Sequence, residues 1–195
     1  MILIISNIAV FLLSLLVTGV HFNTYIFGII SPDIEKLKQF NWIVSPENLS
    51  AHPEALFMSL FMHIGIVHLL LNLIMLLYLT ILEIKTGKFL LVYFLSGVVG
   101  NLTAVLIEDV AILGASGAIL GVLGYSLWNQ FREVYLMILV TVIPGLLIPG
   151  VSDGAHIGGL ITGFAIGLMF KHKSAILIKS VRKKEIEESL FKKSA

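Results

Sequence analysis

Residues 114–124 read GASGAILGVLG, and residues 154–167 read GAHIGGLITGFAIG; these two stretches decide how the chain folds. Each opens an apolar segment and places one reactive side chain near its start, Ser116 in the first and His156 in the second. A hydroxyl and an imidazole are the minimal nucleophile and base for acyl transfer. The glycines recur at helical spacing, and small residues let helices approach closely in lipid. The pattern therefore predicts two tightly packed helices.

The composition of the chain indicates that it folds in a lipid membrane. Hydrophobic residues make up 57% of the 195 residues and charged residues only 13%, which is outside the range of soluble globular domains. This predicts an all-α, polytopic integral membrane protein with one domain, residues 1–171, and a basic tail, residues 172–195. The absence of cysteine excludes disulfides, thiol nucleophiles and cysteine metal sites.

Apolar segments of about 20 residues predict a bundle of six membrane-spanning helices. Between the first and second of them, residues 22–54 mix apolar and charged residues, and we interpret this connection as an interfacial segment on the external side. The six spans are expected at about 2–21, 55–82, 88–107, 115–131, 134–150 and 155–170.

The positions of lysine and arginine predict the orientation, because basic residues are retained on the cytoplasmic side of a membrane. Eleven of the 13 follow the second, fourth and sixth spans, and only two lie in residues 22–54. Both termini are therefore expected in the cytoplasm. The helices that carry Ser116 and His156 then begin at the external face, which places the two side chains at the same membrane depth.

A third polar cluster lies near the start of the second span. His68 and Asn72 are about 40° apart on an ideal helix and share a face, whereas His63 points away from them. This span runs from outside to inside, so the cluster is expected level with Ser116 and His156. Polar groups in a bilayer are costly and usually functional.

The chemistry expected of these residues is that of a serine and histidine dyad. Ser116 is the candidate nucleophile, and His156 is the candidate general base, since an imidazole with the reference pKa of about 6.5 is largely neutral at pH 7. Asp153 lies three residues before His156 at a helix start. We expect it to be an N-cap rather than a third catalytic group.

A tetrahedral oxyanion needs hydrogen-bond donors aimed at it. The candidates are the backbone N–H groups of Ala115 and Ser116 at the start of the fourth span, together with the side chains of Asn72 and His68. The dipole of that helix has the right sign to help. Water is expected to enter from outside through a cavity lined by His63, His68 and Ser116, because irregular backbone at membrane depth is tolerated where it lines such a cavity.

Together these residues resemble the rhomboid family of intramembrane serine proteases. The resemblance implies the minimal six-helix prokaryotic form, in a cell membrane, with Ser116 as nucleophile, His156 as base, and His68 and Asn72 at the oxyanion hole. It also implies cleavage of membrane-anchored protein substrates, and we expect no cofactor, metal or nucleic acid. The resemblance covers the second to sixth spans and rests on three motifs: H-x4-H-x3-N (His63, His68 and Asn72), G-x-S-G (Ser116) and A-H-x-x-G (Ala155, His156 and Gly159).

Two features depart from the family pattern. Members often carry a Trp-Arg pair in the first external loop, whereas the only arginines here are Arg132 and Arg182. Many bacterial members have an aromatic residue four positions after the serine, beneath the histidine, and this chain has Leu120 there. The anchoring of residues 22–54 and the support of His156 must therefore come from other contacts.

Two other classes of function fit the same residues. One is a transporter or channel in which His63, His68 and His156 relay protons or bind an ion. The other is a non-catalytic, rhomboid-like adaptor that binds unstable helices. An activated serine distinguishes the protease from both, since a fluorophosphonate probe labels only such a serine.

Overall fold

The computed structural model describes residues 1–22, 29–82, 84–128, 135, 138 and 151–170. The described residues are mostly helical, with one small antiparallel sheet of two strands, β1 (His21–Phe22) and β2 (Ile30–Ser31). Two 3-10 turns, Ser59–Phe61 and Thr80–Leu82, continue α3 and α4. The helices are α1 (Ile2–Thr18), α2 (Ile34–Gln39), α3 (Ala55–Met58), α4 (Ile66–Leu79), α5 (Thr86–Glu108), α6 (Ser116–Ser126) and α7 (Asp153–Phe170).

Helices lie close to the bounds expected for the third and sixth predicted spans, at Thr86–Glu108 and Asp153–Phe170. Within the described residues, α5 and α7 are the two helices long and apolar enough to cross a membrane, while α1 and α6 are shorter apolar helices. The first span ends earlier than expected, at Thr18, because Gly19 has a φ of +97° that stops the helix. The predicted fifth span, 134–150, lies outside the described residues except for 135 and 138. The tail, 172–195, lies outside them as well, so the six-span count and the cytoplasmic termini stay predictions.

The prediction of one continuous second span over residues 55–82 is wrong. The axis of residues 55–61 and that of α4 meet at 91°, which makes this a bent pair that counts at most as a third, broken span. The chain is extended at Met62 (ψ 144°) and at Gly65 (φ 177°), and neither conformation continues a helix. His63 therefore lies in the break rather than on the helix that carries His68.

Residues 29–54 form a loop that contains α2 and half of the small sheet, so the all-α expectation needs this correction. The loop is held to the end of α1 by polar contacts: Thr18 Oγ1 accepts the Asp33 N–H at 2.9 Å, and Lys36 Nζ donates to the Thr18 carbonyl at 3.0 Å. The Asp33 side chain accepts the Lys36 N–H and thereby caps α2. These bonds fix the start of the loop.

The later part of the loop is anchored by burial and by a backbone bridge. Leu37, Ile43 and Val44 are fully buried. The Ile112 N–H donates to the Val44 carbonyl at 2.8 Å, which joins the loop to the segment just before α6. The loop is thus anchored without the Trp-Arg pair of the family.

Glycines bring α5, α6 and α7 into backbone contact, as the sequence predicts for α6 and α7. A Cβ placed on Gly159 would collide with the Gly117 carbonyl oxygen, and one on Gly163 would collide with that of Gly121. A Cβ on Gly100 of α5 would meet the Ala155 carbonyl oxygen at 2.5 Å. The predicted close packing of α6 against α7 is confirmed, and α5 joins it.

Candidate active site

Ser116 is the first residue of α6, and a tight loop leads into it. Gly114 has a φ of +119°, a conformation that favours glycine, and its N–H donates to the Ser59 carbonyl at 2.8 Å. Ala115 is buried, whereas Ser116 is partly exposed. The first N–H groups of a helix have no acceptor within the helix. Donors at Ser116 and beyond are therefore available beside the hydroxyl.

His156 lies in the first turn of α7 and contacts Ser116 directly. The Ser116 Oγ and His156 Nε2 atoms are 2.8 Å apart, which is hydrogen-bond distance across 40 residues of sequence. The contact is possible because α6 and α7 touch here: a Cβ on Gly117 would lie 2.8 Å from the Ala155 carbonyl oxygen. When Nε2 is unprotonated, it accepts the serine O–H.

The other ring nitrogen of His156 has no carboxylate partner in the described part of the chain. No described group accepts a hydrogen bond from Nδ1. Asp153 is the first residue of α7, but the prediction that it is the N-cap is wrong. The cap is Ser152, whose hydroxyl accepts the Ala155 N–H at 3.0 Å and whose carbonyl accepts the His156 N–H at 3.3 Å.

Glu108, at the end of α5, is a polar group near the site that the sequence reasoning missed. Its carboxylate accepts the Ser152 hydroxyl at 2.7 Å and also accepts the Gly154 N–H. Serine and aspartate are both preferred N-cap residues, so the sequence indicates Ser152 only as one of two neighbouring candidates. Glu108 is not indicated, because it lies more than 40 residues away from its partners along the chain.

His68 and Asn72 lie on α4, next to the loop that precedes Ser116. A Cβ on Gly114 would lie 2.8 Å from Cε1 of His68, so the His68 ring packs directly on that glycine. Asn72 is buried, and its amide donates one N–H to the His68 carbonyl at 2.9 Å. A side-chain amide has two N–H donors, so one of them remains for another acceptor.

His63 is more enclosed than expected. Its exposed fraction is 0%, its Nδ1 lies 3.2 Å from the Phe61 carbonyl oxygen, and its ring meets that of His68 edge-on with centroids 5.1 Å apart. A place for His63 on the wall of an open cavity does not agree with this burial. Ser116 and His68 are the partly exposed members of that predicted set.

A second polar group, which was not predicted from the sequence, supports the loop before Ser116. Asn101, buried in the middle of α5, donates from Nδ2 to Ser59 Oγ at 2.9 Å and to the Leu56 carbonyl at 3.0 Å. The Ser59 carbonyl in turn accepts the Gly114 N–H. A lone asparagine in an apolar helix was the available sequence signal, since such residues are costly in lipid.

The ion-binding alternative requires several ligands around one point. In the residues whose placement is described, no group of three or more His, Asp or Glu side chains is arranged to hold a metal ion. What the structure does bring together is one hydroxyl, one imidazole and helix-start N–H donors, which is an arrangement suited to acyl transfer.

Comparison with known proteins adds the family context. A family model described as "Rhomboid domain" matches residues 51–173. The chain is 37% identical to RHOMBOID-like protein 4 of Arabidopsis thaliana, over 55% of this chain and 32% of that protein. It is 36% identical to Rhomboid-like protease 3 of Toxoplasma gondii, over 55% of this chain and 48% of that protein. It is also 31% identical to Inactive rhomboid protein 1 of Danio rerio, over 59% of this chain and 15% of that protein. The chain thus spans less than half the length of each of these relatives.

Proposed function

This chain belongs to the rhomboid family of integral membrane proteins, and from that premise we propose that it is an intramembrane serine endopeptidase. The observation that carries the proposal is the 2.8 Å contact between Ser116 Oγ and His156 Nε2. One of its relatives is named as a protease and another as inactive, so family membership alone does not decide activity. The pairing of Ser116 with His156 favours an active protease over an inactive relative.

In the proposed mechanism, Ser116 Oγ attacks the carbonyl carbon of a substrate peptide bond while His156 Nε2 takes the hydroxyl proton. The resulting tetrahedral intermediate carries an oxyanion, stabilised by the N–H groups of Ala115 and Ser116 and by Asn72 and His68. His156 then gives the proton to the leaving amine, which leaves an acyl ester on Ser116. A water activated by His156 hydrolyses the ester and restores the enzyme.

The proposed substrates are membrane-anchored proteins, cut near the external end of their membrane segments. Ser116 and His156 both lie at the start of apolar helices, which under the predicted orientation is the external end. The enzyme and substrate then share one bilayer, which we propose is the cell membrane. A transporter, or an adaptor that only binds helices, does not require a serine hydroxyl paired with an imidazole.

The proposal predicts that a fluorophosphonate probe labels the protein covalently at Ser116. The labelling rate and the cleavage rate should rise together as pH increases through the deprotonation of His156, because only the neutral imidazole accepts the serine proton. The measurement is labelling of protein in liposomes across pH 5 to 9, with the site identified by mass spectrometry. A protein that stays unlabelled while it moves ions or binds helices is not a protease.

Asp153→Asn is the matched control for a hidden triad. Asp153 is the nearest acidic residue to His156 in sequence, and its side chain is not hydrogen-bonded to the ring. We expect cleavage within about tenfold of the parent, whereas a carboxylate that orients a catalytic histidine matters by about 10⁴. A loss of the larger size would establish a triad in place of the dyad.

A second prediction concerns Asn72 as an oxyanion donor. Asn72→Ala should lower kcat by about 10 to 10² with little change in KM, because the donor acts only in the transition state. Backbone donors and His68 keep the loss below the full effect of a sole donor. Kinetics and thermal unfolding are measured on the same preparation. If unfolding shifts strongly and kcat of the folded fraction is normal, Asn72 is a structural brace.

A further inference from the structure

Glu108 ends α5 and reaches across to the start of α7. Its two carboxylate oxygens accept different groups there: Oε2 takes the Ser152 hydroxyl at 2.7 Å, and Oε1 takes the Gly154 N–H. The Ser152 hydroxyl in turn accepts the Ala155 N–H at 3.0 Å. One side chain of α5 therefore organises the N–H donors of the first turn of α7, two residues before His156.

Glycine at position 154 makes this contact possible. A Cβ there would lie 2.9 Å from Glu108 Oε1 and 3.0 Å from the Ala104 Cα, so the first turn of α7 lies directly on the last turn of α5. One turn later, a Cβ on Gly158 would lie 2.7 Å from Thr103 Oγ1. The start of α7 is seated on α5 by both packing and hydrogen bonds.

The orientation of His156 depends on this seat. Within the described residues, no group accepts a hydrogen bond from its Nδ1, so no third side chain fixes the ring as an aspartate does in a triad. Leu120 lies where many bacterial members of the family have a stacking aromatic, and it is buried in the main hydrophobic core. Among the described residues, the backbone of the first turn of α7 and the Ser116 hydroxyl therefore place the imidazole.

We propose that Glu108 is a positioning residue for His156. By holding Ser152 and Gly154, its carboxylate fixes the rotation and depth of the first turn of α7, and through that turn the placement of Nε2 on Ser116 Oγ. The inference rests on the proposed serine and histidine pair. A misplacement of about 1 Å at a catalytic group is enough to lower a rate by about 10².

The test compares Glu108→Ala, Glu108→Gln and the control Asp109→Asn in full-length protein. Asp109 is the next residue, exposed, and in a left-handed conformation that asparagine tolerates, so this change removes a neighbouring charge without touching α7. Three quantities are measured on folded protein: the fluorophosphonate labelling rate of Ser116, kcat and KM for a transmembrane substrate, and thermal unfolding.

We expect Glu108→Ala to lower both the labelling rate and kcat by about 10 to 10², with KM changed less than about threefold. Glu108→Gln should recover most of the rate, because its amide oxygen still accepts the Gly154 N–H. Asp109→Asn should match the parent. If Glu108→Gln falls as far as Glu108→Ala, the charge rather than the position of Glu108 matters, and the proposal is overturned.

Two other results would also overturn it. One is a Glu108→Ala protein that labels at the parent rate. The other is a protein that unfolds at lower temperature while its folded fraction keeps the parent kcat, which is a purely structural role. If Glu108→Ala does not fold, Gly154→Ala replaces it: the added methyl would lie 2.9 Å from the Glu108 carboxylate and 3.0 Å from the Ala104 Cα, and it should lower kcat in the same way. An unchanged kcat would overturn the proposal. A parent protein that neither labels nor cleaves refutes the proposed function itself, whatever Glu108 does.

Discussion

Replacing Ser116 with alanine should abolish cleavage of a transmembrane substrate and all fluorophosphonate labelling. Loss of the nucleophile in a serine protease costs on the order of 10⁶ in kcat, the largest effect we expect from any single change. The protein should still fold, because the substitution removes one partly exposed oxygen whose bond is to His156. The measurement is turnover in liposomes, with thermal unfolding as the check on the fold.

Ser126→Ala is the matched control, since Ser126 ends the same helix. Its hydroxyl is buried and donates to the Val122 carbonyl at 2.8 Å, one turn earlier in α6. We expect this variant to keep cleavage within about threefold, because such local bonds to the helix backbone contribute little. Turnover that survives in Ser116→Ala would remove serine catalysis from consideration.

Gly159→Ala should separate α6 from α7 and inactivate the protein even though it alters no reactive group. The new Cβ would overlap the Gly117 carbonyl oxygen, which is backbone one residue after Ser116 and has no rotamer in which to move away. Overpacking of this kind typically costs about 1 to 3 kcal/mol of stability. Displacement of His156 from Ser116 should lower kcat by a further 10² or so.

Gly87→Ala is the control for this change, because nothing lies within 4 Å of a Cβ placed there. Gly87 is exposed in the first turn of α5. Alanine there should leave labelling unchanged and raise the unfolding temperature slightly, since glycine is the poorer helix former by up to about 1 kcal/mol. A Gly159→Ala protein with the parent unfolding temperature and labelling rate would show that the helices tolerate wider spacing.

The spacing of the glycines predicted the packing of α6 on α7, which is the part of the fold that could be predicted from sequence. Because small residues in lipid have one common use, close helix contact, the packing of α6 on α7 followed from the pattern, and with it the meeting of Ser116 and His156. The two side chains meet at 2.8 Å. Their catalytic roles stay predictions until the variants above are measured.

The break at residues 62–65 was not predictable in the same way. The whole of residues 55–82 is apolar enough for one helix. Hydropathy indicates the length of an apolar segment but not a change in the direction of its helix axis. A glycine at 65 was the only local signal, and an isolated glycine is tolerated in helices. The 91° bend depends on contacts of residues 55–61 with α5 and with the loop before α6, which are distant in sequence.

The prediction of the N-cap of α7 was wrong for a different reason. Asp153 and Ser152 are both good capping residues, and sequence offers no means to choose between neighbours. The choice is made by Glu108, whose carboxylate accepts the Ser152 hydroxyl. A residue 44 positions away in the sequence thus determines which residue caps α7.

The hydrogen bond between Ile112 and Val44 has a consequence for which substitutions the loop of residues 29–54 tolerates. Main-chain atoms form it, and the donor and acceptor are present at every position except for the missing N–H of proline. A substitution at Ile112 other than proline therefore keeps this one hydrogen bond, while the buried side chains of Leu37, Ile43 and Val44 hold the rest of the loop. This main-chain bond is one of the contacts that hold the loop in the absence of a Trp-Arg pair, and Ile112→Pro is the change expected to remove it.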